Sequence, residues 1–188
     1  MRKFFLTVLT GCAVAAPVMA QDRAPFTGAR IEGLAGWDRV KAGGHDDNIG
    51  YGVGIGYDMQ MGGALLGVEA EASDSNVRDC AGSATVIDPR LCLKTGRDLY
   101  AGGRIGATMG SALIYAKLGY TNFRGKFTSN DGTTETTLAK SDLDGVRVGG
   151  GAEFALSQNT FVKAEYRYSN YEAGVDRHQA MGGFGFGF

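Results

Sequence analysis

The residues able to do chemistry in this sequence fall into three groups. The largest is a set of charges: Glu32, Asp38, Asp58, Glu69, Glu71, Asp98, Glu153 and Glu165 with Arg30, Arg104, Lys117, Arg147, Lys163 and Arg167. Facing one another across a narrow interior, they would either carry ions or close that interior by pairing. The second group is Ser169 and Asn170, with His178 further along. A serine nucleophile needs a base within hydrogen-bond reach. Arg167 cannot be that base, because a guanidinium stays protonated, which leaves His178, one of 2 histidines in the chain. The third group is the cysteine pair Cys80 and Cys92. None of these dictates catalysis, so no catalytic, cofactor-binding or metal-ligating residue is expected. Gly52-x-Gly54-x-Gly56 is followed by no helix and so makes no phosphate loop. His45-Asp46-Asp47 reads as a solvated loop.

The elements holding these residues read as strands. Period-two alternation runs through 29–40, 50–59, 65–73, 97–108, 113–122, 143–155, 159–169 and 178–188. In the clearest stretch, Tyr51, Val53, Ile55, Tyr57 and Met59 alternate with Gly50, Gly52, Gly54, Gly56 and Asp58. Across all eight the apolar set holds no charge, although 21% of the chain is charged. A face that excludes charge so completely suits lipid, where an Arg or Lys costs about 2–4 kcal/mol at the bilayer midplane. A soluble sandwich would show the same alternation with its two faces exchanged.

The connections break that tie. Segments 39–48, 74–96, 123–142 and 169–177 read as long and polar, and 60–64, 109–112 and 156–158 as short. Barrels of the outer membrane have this asymmetry. An even number of strands of about ten residues spans the apolar band at a tilt, and closure removes the unpaired edges that lipid forbids. Trp37, Tyr51, Tyr120 and Tyr168 fall near the long connections, and Tyr57, Phe154 and Phe186 near the short ones, as two interfacial girdles would require. The expected fold is all-β, an eight-stranded antiparallel up-and-down transmembrane β-barrel. Eight strands enclose a space just wide enough for side chains, where an unpaired charge is costly. Glu32, Glu69, Glu71, Arg104, Lys117, Arg147, Glu153, Lys163, Glu165 and Arg167 are therefore expected to form a paired lumen network rather than a conduit. The formal net charge of −1 gives no electrostatic reason for a nucleic-acid partner.

The first twenty residues read as an address. Met1-Arg2-Lys3 is basic, Phe4 to Val18 carries no charge, and Met19-Ala20 precedes polar sequence. This is the three-part pattern of a secretory signal, with cleavage expected between Ala20 and Gln21. Residues 21–188 then form the barrel domain, with 17 bases against 20 acids. Leu9-Thr10-Gly11-Cys12 also has the form of a lipoprotein box, which would make Cys12 a lipidated first residue. The apolar run before it is short for that role. Removal of Cys12 leaves Cys80 and Cys92, and an even count in an exported chain reads as a disulfide. Closing that short loop would restrict the unfolded chain by about 3 kcal/mol.

Taken together, the signal, eight strands, long connections and terminal Phe188 resemble the small outer-membrane β-barrel proteins of Gram-negative bacteria, the OmpA-like or porin-family single barrels. The run Tyr166 to Gln179, YRYSNYEAGVDRHQ, resembles their seventh strand, last loop and eighth strand, and Arg97 to Arg104, RDLYAGGR, their fourth strand. The resemblance implies a bacterial outer-membrane location, contact with outer-membrane lipid, and reading of Phe188 by the barrel-assembly machinery. It implies a monomer with a structural role, or with an extracellular ligand held by its loops. A narrow channel for small solutes is the alternative reading, and a lipid-modifying enzyme the third. Lipid A deacylases share the barrel and carry His-x-Ser-Asn, but Arg167 stands here where their His should be.

Overall fold

The computed structural model describes residues 26–41, 45–75, 78–81, 83, 90–130 and 135–188. Cys12, Ala20 and Gln21 lie outside the described residues. Among the described residues nine strands follow one another: β1 (Gly28–Lys41), β2 (His45–Met61), β3 (Ala64–Ser75), β4 (Arg78–Ala81), β5 (Arg90–Met109), β6 (Ala112–Asn130), β7 (Glu135–Ala155), β8 (Thr160–Tyr171) and β9 (Val175–Gly187). Eight of them form a closed antiparallel barrel in the order β3-β2-β1-β9-β8-β7-β6-β5, with β5 returning to pair with β3. The short β4 pairs with β5 alone. Phe188 continues β9, donating its backbone N–H to the Ala29 carbonyl at 2.8 Å.

Register follows from the alternation. A slip of one residue would exchange every inward charge for an apolar side chain. In β3, Leu65, Glu69, Glu71 and Ser73 are buried while Leu66 and Val68 are exposed. In β8, Lys163, Glu165, Arg167 and Ser169 are buried while Tyr166 is exposed. The outward apolar residues belong against lipid, so the usual globular pattern is inverted and the core is polar. At the short-turn end, β2–β3 and β5–β6 close through Gly62-Gly63 and Gly110-Ser111. Gly62 and Gly110, at the first turn position, have φ +62° and +60°. Two-residue hairpins of type II′ need that conformation there, and glycine adopts it without strain.

The long connections differ from the sequence reading. Residues 123–142 are largely strand, because β6 and β7 pair from Asn130↔Glu135 down to the barrel. Segment 39–48 likewise continues the β1–β2 ladder to Lys41↔His45. Residues 169–177 form no long loop at all. The ladder runs on through Ser169↔Arg177 and Tyr171↔Val175, and one 3₁₀ turn, Glu172–Gly174, closes it. Ser169, Tyr171 and Arg177 keep the strand's phase and face the lumen, while Asn170 and Glu172 between them are exposed.

Candidate functional site

The lumen fills from its short-turn end upward. Phe26, Leu65, Leu113 and Tyr115 make a small apolar floor with Ala155 against it. Above it two guanidiniums organise four carboxylates. Arg104 (β5) donates from Nε and Nη2 to Asp58 (β2) at 2.9 and 2.6 Å, and from Nη1 to Glu153 (β7) at 2.5 Å. Arg30 (β1) reaches Glu32 at 2.7 Å and Asp58 at 3.1 Å, and also pairs with Glu69. These long side chains cross the lumen because the opposing strand carries glycine. A Cβ on Gly54 would lie 2.8 Å from Glu32 Oε1, and one on Gly56 2.9 Å from Arg30 Nε.

The middle layer is built on two lysines. Lys117 (β6) lies 2.9 Å from Glu69, 2.5 Å from Glu71 and 2.9 Å from Glu165. Lys163 (β8) lies 2.9 Å from Glu32 and 3.2 Å from Glu165. The Tyr115 hydroxyl donates to Glu165 at 2.6 Å. Arg167 donates to Glu71 at 2.5 Å and to the Gln179 side-chain Oε1 at 2.7 Å. In the upper layer Asp98 (β5) accepts from Arg177 at 2.6 Å, Thr121 at 2.7 Å and Tyr171 at 3.0 Å, and pairs with Arg147. Arg177 also holds Asp38 through two bonds of 2.8 and 2.6 Å. Its guanidinium lies 5.6 Å from the Phe123 ring centre, and Phe123 and Tyr171 pack together at 5.4 Å.

Glu32, Glu69, Glu71, Arg104, Lys117, Arg147, Glu153, Lys163, Glu165 and Arg167 are buried and joined by ion pairs into one connected system. Arg30, Asp38, Asp58 and Asp98 belong to it as well, and so does Arg177, which the sequence places in a loop. Continuing the inward set Met181, Gln179 by one further step of two finds it. Arg104, Arg147, Arg167 and Arg177 are each 0–1% exposed, so their guanidiniums meet partner side chains rather than solvent. Near the floor remains a cavity of about 30 Å³ bounded by Arg30, Asp58, Glu153 and Phe161. Glu32, Glu69 and Glu71 bring carboxylate oxygens within 4.8 Å of one another, an arrangement that would suit a cation. The chain's own Arg30, Lys117, Lys163 and Arg167 supply that positive charge.

The serine and histidine do not meet. Ser169 is buried in the lumen, its hydroxyl accepting from Arg147 Nε at 2.8 Å. His178 pairs in register with outward Tyr168 and lies against the Tyr166 hydroxyl at 2.8 Å. Strand alternation puts the two on opposite faces, so His178 cannot serve Ser169 as a base. On the outer surface Trp37, Tyr51 and Tyr120 are exposed toward the long connections, and Tyr57, Phe154 and Phe186 toward the short turns; Tyr168 is half-buried. The backbone sets Cys80 directly opposite Cys92 in the β4–β5 ladder. Above the belts the paired strands continue. Arg124 (β6) and Asp142 (β7) form a bidentate salt bridge of 2.7 and 2.9 Å, and hydrogen bonding from Arg124 holds the Asp142 carboxyl below its ordinary range.

The sequence profile of the outer membrane protein beta-barrel domain matches residues 7–188. The chain belongs to this family. Among solved structures it is similar to Ail, the attachment invasion locus protein of Yersinia pestis, with 19% identity over 86% of this chain and 99% of Ail, and a TM-score of 0.60. Neisserial surface protein A is similar at 15% identity, 86% and 98% coverage and a TM-score of 0.57. OprG of Pseudomonas aeruginosa is similar at 13% identity, 86% and 97% coverage and a TM-score of 0.51. No curated protein matches the chain in sequence. As a member of the family it is a bacterial outer-membrane barrel, and these identities carry the fold alone.

Proposed function

We propose that this barrel is a monomeric membrane anchor for an extracellular recognition surface, without catalysis. One observation carries the reading: the lumen is filled by paired charges while β5, β6 and β7 continue as strands beyond the outer aromatic belt. β6 runs to Asn130, ten residues past Tyr120. A solute pathway would spend its residues on an open interior. This chain instead builds ordered surface outside the membrane, where a rigid scaffold suits recognition. Ail, on the same fold, was crystallised in complex with the heparin analogue sucrose octasulfate.

Export through cleavage between Ala20 and Gln21, reading of Phe188 by the assembly machinery, and a Cys80–Cys92 disulfide belong to the same proposal. The test removes residues 126–140 from the β6–β7 hairpin and joins the strands by a short turn. The shortened protein should still insert in the outer membrane and shift on a gel when boiled, and lose adherence of expressing bacteria to host-type surfaces. Unchanged adherence would refute the reading, as would steady single-channel conductance from the wild-type protein in a planar bilayer.

A further inference from the structure

Among the described residues the lumen is not balanced in charge. The ten charges expected from the sequence are five acids and five bases, all buried. The other buried charges are Arg30 and Arg177 against Asp38, Asp58 and Asp98, which leaves one carboxylate in surplus. The surplus lies at the floor. In the upper layer Asp38 and Asp98 have Arg147 and Arg177. In the middle layer Glu71 and Glu165 are held by Lys117, Lys163 and Arg167. At the floor Arg104 serves both Asp58 and Glu153, and Arg30 is divided among Glu32, Asp58, Glu69 and Glu153. Asp58 and Glu153 also border the floor cavity of about 30 Å³, whose open side is marked by the exposed Asn159 and Phe188. A buried carboxylate without a cation of its own is costly, so the charge that suits this cavity is positive.

The chain enters β1 past this cavity. Phe26, Thr27 and Gly28 line it, and Phe26 is part of the apolar floor with Leu65, Leu113 and Tyr115. The residues before Phe26 thus begin at the cavity's edge. Arg23 is the only base between Phe4 and Ala29, and the short connections 60–64, 109–112 and 156–158 contain none. From Phe26 to Arg23 the chain spans at most about 10 Å, which keeps Arg23 within reach. We propose that segment 21–25, which lies outside the described residues, is a strap across the periplasmic mouth of the barrel, with the Arg23 guanidinium seated in the cavity as the eighth base of the lumen. A planar guanidinium can serve two carboxylates at once, and Asp58 and Glu153 stand there as counter-ions to Arg23 and to Arg30. Neighbouring side chains of an extended chain point to opposite sides, so Asp22 faces the periplasm. The strap closes one end of a lumen that Arg177 and Tyr171 fill at the other. It goes beyond the recognition role and does not rest on it.

The experiment uses the mature protein, residues 21–188, in detergent micelles. Urea unfolding is read by Trp37 fluorescence, and boiled against unboiled gel mobility establishes that each variant is folded. Arg23→Gln should raise the unfolding constant about tenfold or more, and Arg23→Lys should recover part of that loss. Asp22→Asn, at the neighbouring position, should stay within about twofold. Glu153→Gln removes the surplus carboxylate, so in that background Arg23→Gln should change the constant by less than about threefold; this coupling is what a merely structural strap would not show. An Arg23→Gln constant within about twofold of wild type would overturn the proposal, as would an equal loss in the two backgrounds. So would a wild-type constant that rises about tenfold per pH unit between about pH 6 and pH 8, which is the linkage of a proton held in place of the base. A wild-type constant that falls when sodium replaces N-methylglucamine at equal ionic strength would assign the cavity to a free cation and overturn it as well.

Discussion

Replacing Arg104 by Met removes the cation that ties β5 to β2 and β7 across the lumen floor. The side chain is 1% exposed and makes three hydrogen bonds of 2.5–2.9 Å to Asp58 and Glu153. Without it those carboxylates must share Arg30, at 3.1 and 3.8 Å, which already serves Glu32 and Glu69. Breaking a buried pair by removing one member costs about 3–5 kcal/mol, because the other charge stays buried. That is a large part of a typical stability of about 5–15 kcal/mol. The assay is urea unfolding in detergent micelles or vesicles, followed by the fluorescence of Trp37, the single tryptophan. With a slope of about 2 kcal/mol per molar urea the midpoint should fall by about 2 M. Arg104→Met/Asp58→Asn/Glu153→Gln removes the stranded charges as well, and should recover at least half of the loss. An Arg104→Met midpoint equivalent to less than about 1 kcal/mol, or a triple variant no better than the single one, would refute the claim that these charges hold the barrel together by pairing.

Gly54→Val would place a side chain within 2.8–2.9 Å of Glu32 Oε1 and Cγ. Overpacking of this kind costs about 1–3 kcal/mol, so its urea midpoint should drop, whereas Val at outward Ile55 should leave the midpoint nearly unchanged. The Arg124–Asp142 pair should respond to acid in a defined window. Its carboxyl is held low by Arg124, so the stabilisation is present above the unfolded value of about 3.9 and lost as pH falls through the lower folded value. The NMR signal of the Arg124 Nε–H should hold its position from pH 7 to about pH 4 and move only below that. Movement complete by pH 4.5 would contradict the assignment. Cys80→Ser, or reductant on the wild type, should alter unboiled gel mobility and lower stability by up to about 3 kcal/mol; identical behaviour with and without reductant would exclude the bridge.

Most of the fold was legible in the sequence because a strand in lipid obeys two simple rules at once. Each outward residue must tolerate hydrocarbon and each inward residue must fit a narrow polar interior. The alternation at Tyr51 to Met59 and at Thr160 to Tyr168 therefore states both strand and register, and the ten lumen charges follow from it. Where a strand leaves the membrane the first rule lapses. Polar residues then alternate with polar residues, and Phe123 to Asp142 reads as loop although it is largely paired strand. The same loss of contrast hid Arg177, whose neighbours Asp176 and His178 are polar as well.

What the sequence determined by itself was the closed barrel and the face each strand residue takes, because those depend on local periodicity and on the solvent. What only the tertiary structure decided was partnership: which acid meets which base, and that Ser169 and His178 face apart. Those outcomes depend on the stagger between strands, and stagger is set by closure of the whole barrel. No single segment carries that information.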